Sequence, residues 1–365
     1  MGEKLISDVD NLVPGSSVTF FLGSGFSKAW DKTFPNSEEL FTIPSTLFNE
    51  LSYLPSLFFS NSKWESFKDG ISFKELREIV YEISMYLRYP ETRPSYIDRN
   101  NASFLLSEIK NVVRRNFSQK AEYYKVHGNN DKFYHEKPLE QNQNKIIKFF
   151  KEILKSHVVD EPIVANNIKF NIFTTNYDSV VELILDKIYP GPIFNLLYRG
   201  ITPSIINGKY QYSRMIGSQY LINLFKINGG FEIFKSDENY ILDYSDVADL
   251  KFNNTPLIML PSKEQDYNED YFKQLFQKTV QMFKETDILI VIGYSFSEED
   301  ALLRFLLRQF AEGYHDLARK KVYYIDFSDA QVMRRKLVTV FPQLMIQPPS
   351  NIEISSKGFI SWLDS

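Results

Sequence analysis

The chain of 365 residues contains no cysteine, which excludes disulfides, thiolate nucleophiles and every zinc site built on sulfur. Histidine is scarce as well. The four present, His127, His135, His157 and His315, include no pair at the i, i+4 spacing of a helical metal site, so no metal is expected. No segment reaches the roughly 18 uninterrupted apolar residues of a membrane span, and the opening stretch MGEKLISDVD carries acids and no long apolar run. A cytoplasmic protein without membrane contact is expected. Positive charge is not in excess either: the formal net charge is −4 and the pI about 5.8, which gives no overall attraction to phosphate backbones or anionic lipid. The basic clusters Arg114-Arg115 and Arg319-Lys320-Lys321 are short and sit beside helical patterns, which reads as solvated faces and no direct nucleic-acid binding.

What is present is a large apolar fraction, 43% of the residues, enough for one big domain or two modest ones. Short, nearly continuous apolar runs occur at Val18 to Leu22, Ile168 to Phe173, Asn223 to Ile227, Leu257 to Leu260, Ile288 to Ile292 and Val322 to Ile325. Strands covered by helices on both faces read this way, as in parallel sheets. Helical periodicity lies between several of them: Tyr271, Leu275, Val280 and Phe283 before one strand, then Leu302, Leu303, Leu306 and Phe310 after it. The alternation predicts an α/β fold with a Rossmann-like, doubly wound, mainly parallel sheet.

Residues 45–160 break the alternation. Phe73, Leu76, Val80, Ile83 and Leu87 share one helical face, as do Phe104, Leu105, Ile109, Val112 and Val113, and later Ile146, Phe150, Ile153 and Leu154. This predicts a large helical insertion within a single domain spanning 1–365. Inside it, residues 118–141 show no periodicity and are rich in polar residues and Tyr, which fits a long loop or lid.

Four motifs stand at predicted strand ends. The run VTFFL breaks directly into Gly23-Ser24-Gly25-Phe26-Ser27, where a strand's carboxyl end meeting a helix start makes an anion site, and glycine lets a phosphate approach the backbone. Ser27 adds a hydroxyl donor. Lys28 stands where the third glycine of G-x-G-x-x-G would be, and no G-x-x-x-x-G-K-[ST] occurs, so neither a dehydrogenase nor a P-loop ATPase is indicated. The second motif, Thr174-Thr175-Asn176-Tyr177-Asp178, gathers small polar groups, an amide and an acid, as a ligand crevice does; Asp178 suits equally a cap for the helix Val180 to Ile188. The third, Gly293-Tyr294-Ser295-Phe296-Ser297, repeats the glycine-and-hydroxyl logic of the first. In the fourth, Asp326 closes the strand VYYID, placed either to accept the hydroxyls of an adenosine ribose or to cap the helix beginning near Ser328.

In this order, GSGFS, TTNYD, GYSFS and a strand ending YID resemble the sirtuin-like family, in particular its bacterial branch of NAD-destroying antiphage-defence proteins. Pro35 after the glycine loop and Pro256-Leu257-Ile258-Met259-Leu260-Pro261 agree with the resemblance. Sirtuin deacetylases carry a four-cysteine zinc module in the interval equivalent to 231–255, which here holds no cysteine. The resemblance therefore implies the zinc-free branch rather than a protein deacylase.

The resemblance implies an NAD glycohydrolase, with NAD as substrate. Gly23, Ser24, Gly25, Phe26 and Ser27 would take the phosphates, with Thr174 and Thr175 beside them; Gly293, Ser295 and Asp326 would hold the adenosine half. Asn176 would orient water or ribose and Asp178 would steady the polarised site. It also implies an effector of bacterial antiphage defence, assembled as a homo-oligomer or with a separately encoded partner such as a DNA-translocating ATPase. One position departs from the family. Its Lys-Leu-His-Gly motif appears as Lys226-Ile227-Asn228-Gly229, and an amide binds a ribose hydroxyl but cannot take a proton. General-base catalysis contributes about 10² to 10⁴-fold. A base could come instead from His127, His135 or His157, or the chain could be a catalytically degenerate subunit that binds NAD or ADP-ribose and regulates a partner. A nuclease on the same scaffold would need an acidic metal cluster that the sequence lacks.

Overall fold

The computed structural model describes residues 2–50, 67, 69–97, 101–121, 124–127, 132–135, 138–154, 168–189, 197, 199–201, 205–206, 209–210, 222–236, 239–244, 255–265, 267–298, 300–312, 317–344 and 351–365. The chain opens with α1 (Gly2–Asp10), β1 (Ser17–Leu22), α2 (Ser24–Trp30) and α3 (Ser37–Phe41). The short strands β2 (Ile43–Pro44) and β3 (Gly70–Ile71) pair around α4 (Ser45–Glu50). Three longer helices follow, α5 (Phe73–Arg88), α6 (Ala102–Lys120) and α7 (Gln141–Ile153), with β4 (Tyr124–His127) and β5 (Lys132–His135) between the last two. Next come β6 (Lys169–Thr174), α8 (Val180–Ile188), β7 (Ile205–Ile206), β8 (Lys209–Tyr210), β9 (Ile222–Lys226), β10 (Gly229–Ser236), β11 (Asn239–Leu242) and β12 (Pro256–Ile258). Last are α9 (Asp270–Glu285), β13 (Ile288–Ile292), α10 (Ala301–Arg308), β14 (Lys321–Ile325), α11 (Ala330–Val340), β15 (Ile352–Ser355) and α12 (Phe359–Leu363).

Five of the six apolar runs lie side by side, as strands with two buried faces must. The main sheet has the order β15-β14-β13-β1-β6-β9, and every neighbouring pair is parallel. Numbered along the chain within this sheet, the spatial order is 3-2-1-4-5-6, that of doubly wound nucleotide-binding sheets. The order reverses between β1 and β13, both buried along their whole length. Aromatic rings fill the layers: Phe173 lies 5.0 Å from Phe225 and 4.8 Å from Phe283, and Phe20 lies 5.1 Å from Phe150, centroid to centroid. No helix among the described residues is long and apolar enough to cross a membrane.

Three expectations need correction. The run Leu257 to Leu260 does not join the parallel sheet; β12 pairs antiparallel with β10 in a second, five-stranded sheet of order β12-β10-β11-β7-β8. The main sheet takes its sixth strand from β15, whose sequence Ile-Glu-Ile-Ser alternates because an edge strand is only half covered. Residues 118–141 are not one long loop. Helix α6 continues to Lys120, and β4 and β5 pair as antiparallel strands. The basic clusters, finally, are not wholly solvated. Arg114 is buried with its guanidinium 5.2 Å from the Phe234 ring centroid, and Lys320 is fully buried, donating to the main-chain oxygens of Lys284 and Thr286 at the end of α9.

A polar seam crosses the apolar sheet. Thr19, Asn171 and Asn223 stand in register on β1, β6 and β9. Asn171 Nδ2 donates to Ser17 Oγ at 2.9 Å and Thr19 Oγ1 at 3.3 Å, while its Oδ1 accepts from Asn223 Nδ2 at 2.7 Å. All four residues are buried, so each hydrogen bond removed leaves a group with no access to water. Asn171→Leu should therefore lower the unfolding free energy by about 2–4 kcal/mol, read from the denaturant midpoint at unchanged slope.

Candidate active site

The site begins where the strand order reverses, because loops leaving β1 and β13 there turn to opposite faces and open a crevice. Their backbones touch. Gly23 N–H donates to Ile292 O and Gly25 N–H to Gly293 O, each at 3.0 Å. A Cβ on Gly23 would lie 2.3 Å from Gly293 O, and one on Gly25 2.7 Å from Gly293 Cα. Gly293 itself has φ +62, and a Cβ there would lie 2.4 Å from Phe26 N. The glycines answer first to this interlock of two loops, not to a phosphate.

Around the interlock lies a cavity of about 520 Å³, within the usual range for small-molecule sites. Ten of the expected site residues line it: Ser24, Gly25, Ser27, Thr175, Asn176, Asp178, Asn228, Gly293, Ser295 and Asp326. Gly23, Phe26 and Thr174 do not. Phe26 is fully buried and faces the core, 6.0 Å from the Phe150 ring and 5.7 Å from that of Phe359; its apolar side chain follows the buried face of α2. Thr174 is buried behind the wall, and its Oγ1 accepts from Asn176 N–H at 3.0 Å.

Ser27, Asn176 and Asp178 form one hydrogen-bonded corner, all nine-tenths or more buried. Asn176 Nδ2 donates to Gly23 O at 2.9 Å and to Ser27 Oγ at 2.8 Å. Ser27 Oγ donates to Asp178 Oδ2 at 2.6 Å. Its proton is thus committed, which corrects the expectation of a free hydroxyl donor. Both amide hydrogens of Asn176 are committed too, so what Asn176 offers a ligand is its Oδ1, an acceptor. Asp178 Oδ1 also accepts from Val180 N–H at 3.0 Å. The N-cap position of α8 is Ser179, but the Asp178 side chain takes the first helical N–H as well as a place in the cavity wall. Burial pushes the Asp178 carboxyl above the usual carboxylate range, while the bonds from Ser27 and Val180 and the charge of Lys226 pull the other way.

The other predicted positions are placed as follows. Asn228 sits at the turn between β9 and β10; its Nδ2 makes a long bond of 3.5 Å to Thr175 O, and its Oδ1 is buried without a hydrogen-bond partner. Asp326 accepts from Phe327 N–H and Ser328 Oγ, and the cap of α11 is Asp329, so the capping alternative for Asp326 falls. Ser295 is exposed at the rim, its main-chain oxygen accepting from Lys336 Nζ. His157 and His315 lie outside the described residues, as do the side chains of His127 and His135. Among the described residues no group of His, Cys, Asp and Glu is arranged to hold a metal ion.

Sequence reasoning missed one wall of the cavity. Phe41, Phe73, Arg77 and Phe117 come from α3, α5 and α6, and Arg77 lies 5.6 Å from the Phe73 ring centroid. Of these only Phe73 was read at all, as part of a helical face, and no local pattern distinguishes a helix face over a crevice from one over a core. Met259, Leu260, Pro261 and Ser262, just past β12, complete the opposite side.

Residues 171–340 match the SIR2-like domain. The matched stretch carries Asn176, Asp178, Asn228, Gly293, Ser295 and Asp326, and Gly23 to Ser27 precede it. Among solved structures, a Sir2 homologue–NAD complex is 12% identical with a TM-score of 0.40, covering 99% of this chain and 91% of that one. A mutant Sir2 homologue in complex with ADP-ribose is 11% identical with a TM-score of 0.41, covering 100% of this chain and 94% of that one. Comparison with curated proteins gives no match.

The interlock generates a paired test. Gly15 and Gly293 both have positive φ, but a Cβ on Gly15 meets nothing within 4 Å. Gly15→Ala should cost only the backbone strain, about 1 kcal/mol, whereas Gly293→Ala should cost at least about 2 kcal/mol more. Denaturant titration of the two variants measures the difference.

Proposed function

We propose that the chain binds NAD in this cavity and hydrolyses its nicotinamide glycosidic bond, giving nicotinamide and ADP-ribose. The observation that carries the reading is the buried corner of Ser27, Asn176 and Asp178 in the wall of the crevice where the parallel sheet reverses its order. The SIR2-like match over 171–340 supports it. The residues present fit the ligand: Asp326 and the Ser328 hydroxyl stand at the end of β14 for a ribose, Ser24 and Gly25 border the interlock for phosphates, and the unpartnered Oδ1 of Asn228 awaits a donor.

NAD supplies a good leaving group on an activated glycosidic carbon. The chain's part is to position and to exclude. Asn176 Oδ1 accepts a hydrogen from water or a ribose hydroxyl, because its two amide hydrogens already hold Gly23 and Ser27. Asp178, held through Ser27, places negative charge beside the corner where positive charge develops. Asn228 binds a hydroxyl without removing its proton. The same proposal includes a cytoplasmic role as an antiphage-defence effector, assembled as a homo-oligomer or with a separately encoded partner.

A second reading is favoured by Asn228 alone: a subunit that binds NAD or ADP-ribose without cleaving it. Incubation with millimolar NAD, with nicotinamide followed by chromatography, separates the two. Under the first reading nicotinamide appears, and Asn176→Ala slows its release by at least about 100-fold. Under the second the chain releases none yet binds ADP-ribose by calorimetry, and Asn228→His creates or raises release by about 10² to 10⁴-fold. Neither release nor binding would overturn both.

A further inference from the structure

Two residues before Asn228, at the end of β9, the Lys226 ammonium lies 2.9 Å from Glu182 and 2.6 Å from Glu232. The three side chains are 3%, 1% and 4% exposed. Glu182 is on the first turn of α8, four residues beyond Asp178, and Glu232 is on β10. Tyr244 OH donates to Glu182 Oε1 at 3.3 Å, with the Arg199 guanidinium 5.9 Å from the Tyr244 ring centroid. From α9, Tyr271 OH donates to Lys226 O at 3.1 Å. Burying such a cluster is expensive, and an apolar set of similar volume commonly gives equal or greater stability. No step described above uses it.

We propose that Lys226 is a positioning residue for the corner of Ser27, Asn176 and Asp178. Clamped by Glu182 and Glu232, it ties the turn carrying Asn228 to the first turn of α8, whose Val180 N–H donates to Asp178, and it brings a buried positive charge to bear on the Asp178 carboxylate. The inference rests on the proposed function of that corner. The charges at Asp178 agree with it: against the upward push of burial, Lys226 favours the carboxylate, Glu182 opposes it, and the pull of Lys226 is the larger. Burial also pushes the Glu232 carboxyl up, against the opposing pull of the Lys226 ammonium. Held by both glutamates at the end of β9, Lys226 is the positive charge that opposes the effect of burial on the Asp178 carboxyl.

Two variants test the proposal without stranding a lone buried charge. Glu182→Gln leaves Lys226 paired with Glu232, and the triple variant Lys226→Met, Glu182→Gln, Glu232→Gln removes the three charges together. With aspartate ¹³C-labelled at the carboxyl carbon and the Asp178 signal assigned by its loss in Asp178→Asn, the titration midpoint of Asp178 should fall in Glu182→Gln and rise in the triple variant. The acid limb of nicotinamide release should move in the same two directions. An Asp178 midpoint unmoved in a cooperatively melting triple variant, or moved the same way by both, overturns the proposal. Should the triple variant not fold, Glu182→Gln decides alone, and an unmoved or raised midpoint overturns it. A parent chain that releases no nicotinamide refutes the proposed function, while the titration still decides the role of Lys226.

Discussion

The contact of backbone on backbone between the loops leaving β1 and β13 is the constraint on which the rest of the site depends. In a doubly wound sheet these adjacent strands send their chains to opposite faces, and the gap between them opens at their carboxyl ends. Here Gly23, Gly25 and Gly293 close the base of that gap so tightly that no side chain fits at any of them. Because Gly23 O also accepts from Asn176 Nδ2, the same interlock orients the amide on the neighbouring β6 loop. Strand order, glycine placement and the aim of Asn176 are one geometric fact.

From that point outward, the hydrogens are nearly all assigned. Asn176 gives both amide hydrogens to protein acceptors, Ser27 gives its proton to Asp178, and Asp178 accepts from the start of α8. A buried network whose donors are satisfied is rigid, and it presents to the cavity acceptors and negative charge. Such a corner suits a ligand that brings hydroxyl hydrogens and develops positive charge, and it suits poorly an anion docked directly upon it. Under the proposed function, the phosphates of a dinucleotide would lie along Ser24 and Gly25, which line the cavity beside the interlock.

The fold was legible in the sequence where one principle dominated. Continuous apolar runs named five of six parallel strands, and helix α8 follows its apolar pattern from Val180 to Ile188. What misled was burial of a different kind. Leu257 to Leu260 is as apolar as a parallel strand because β12 is buried in the second sheet, and β15 escaped notice because its edge position leaves a glutamate showing. Of the site, the strand-end residues were legible because loops at strand ends carry chemistry. Phe26 was misplaced by membership of a motif, since its apolar side chain follows the buried face of α2 into the core. Arg77 and Phe73 were invisible because their relation to the cavity exists only once α5 has packed.

If, as the resemblance implies, Asn228 stands where the family has a histidine, the proposed site has one proton acceptor fewer. The corner still contains a carboxylate, Asp178, buried and bonded to a single hydroxyl and a single amide N–H. Burial alone would drive it toward the neutral acid, which would erase its electrostatic value. A site without an imidazole depends more heavily on that carboxylate staying charged, because positioning and charge stabilisation are then its main means of lowering the barrier. A buried lysine two residues before the substituted position, fastened by two glutamates, supplies a field of the required sign. Under the proposed reading, the amide at 228 and the cation at 226 are complementary parts of one short segment: the first would bind without titrating, and the second opposes the effect of burial on the carboxyl that remains.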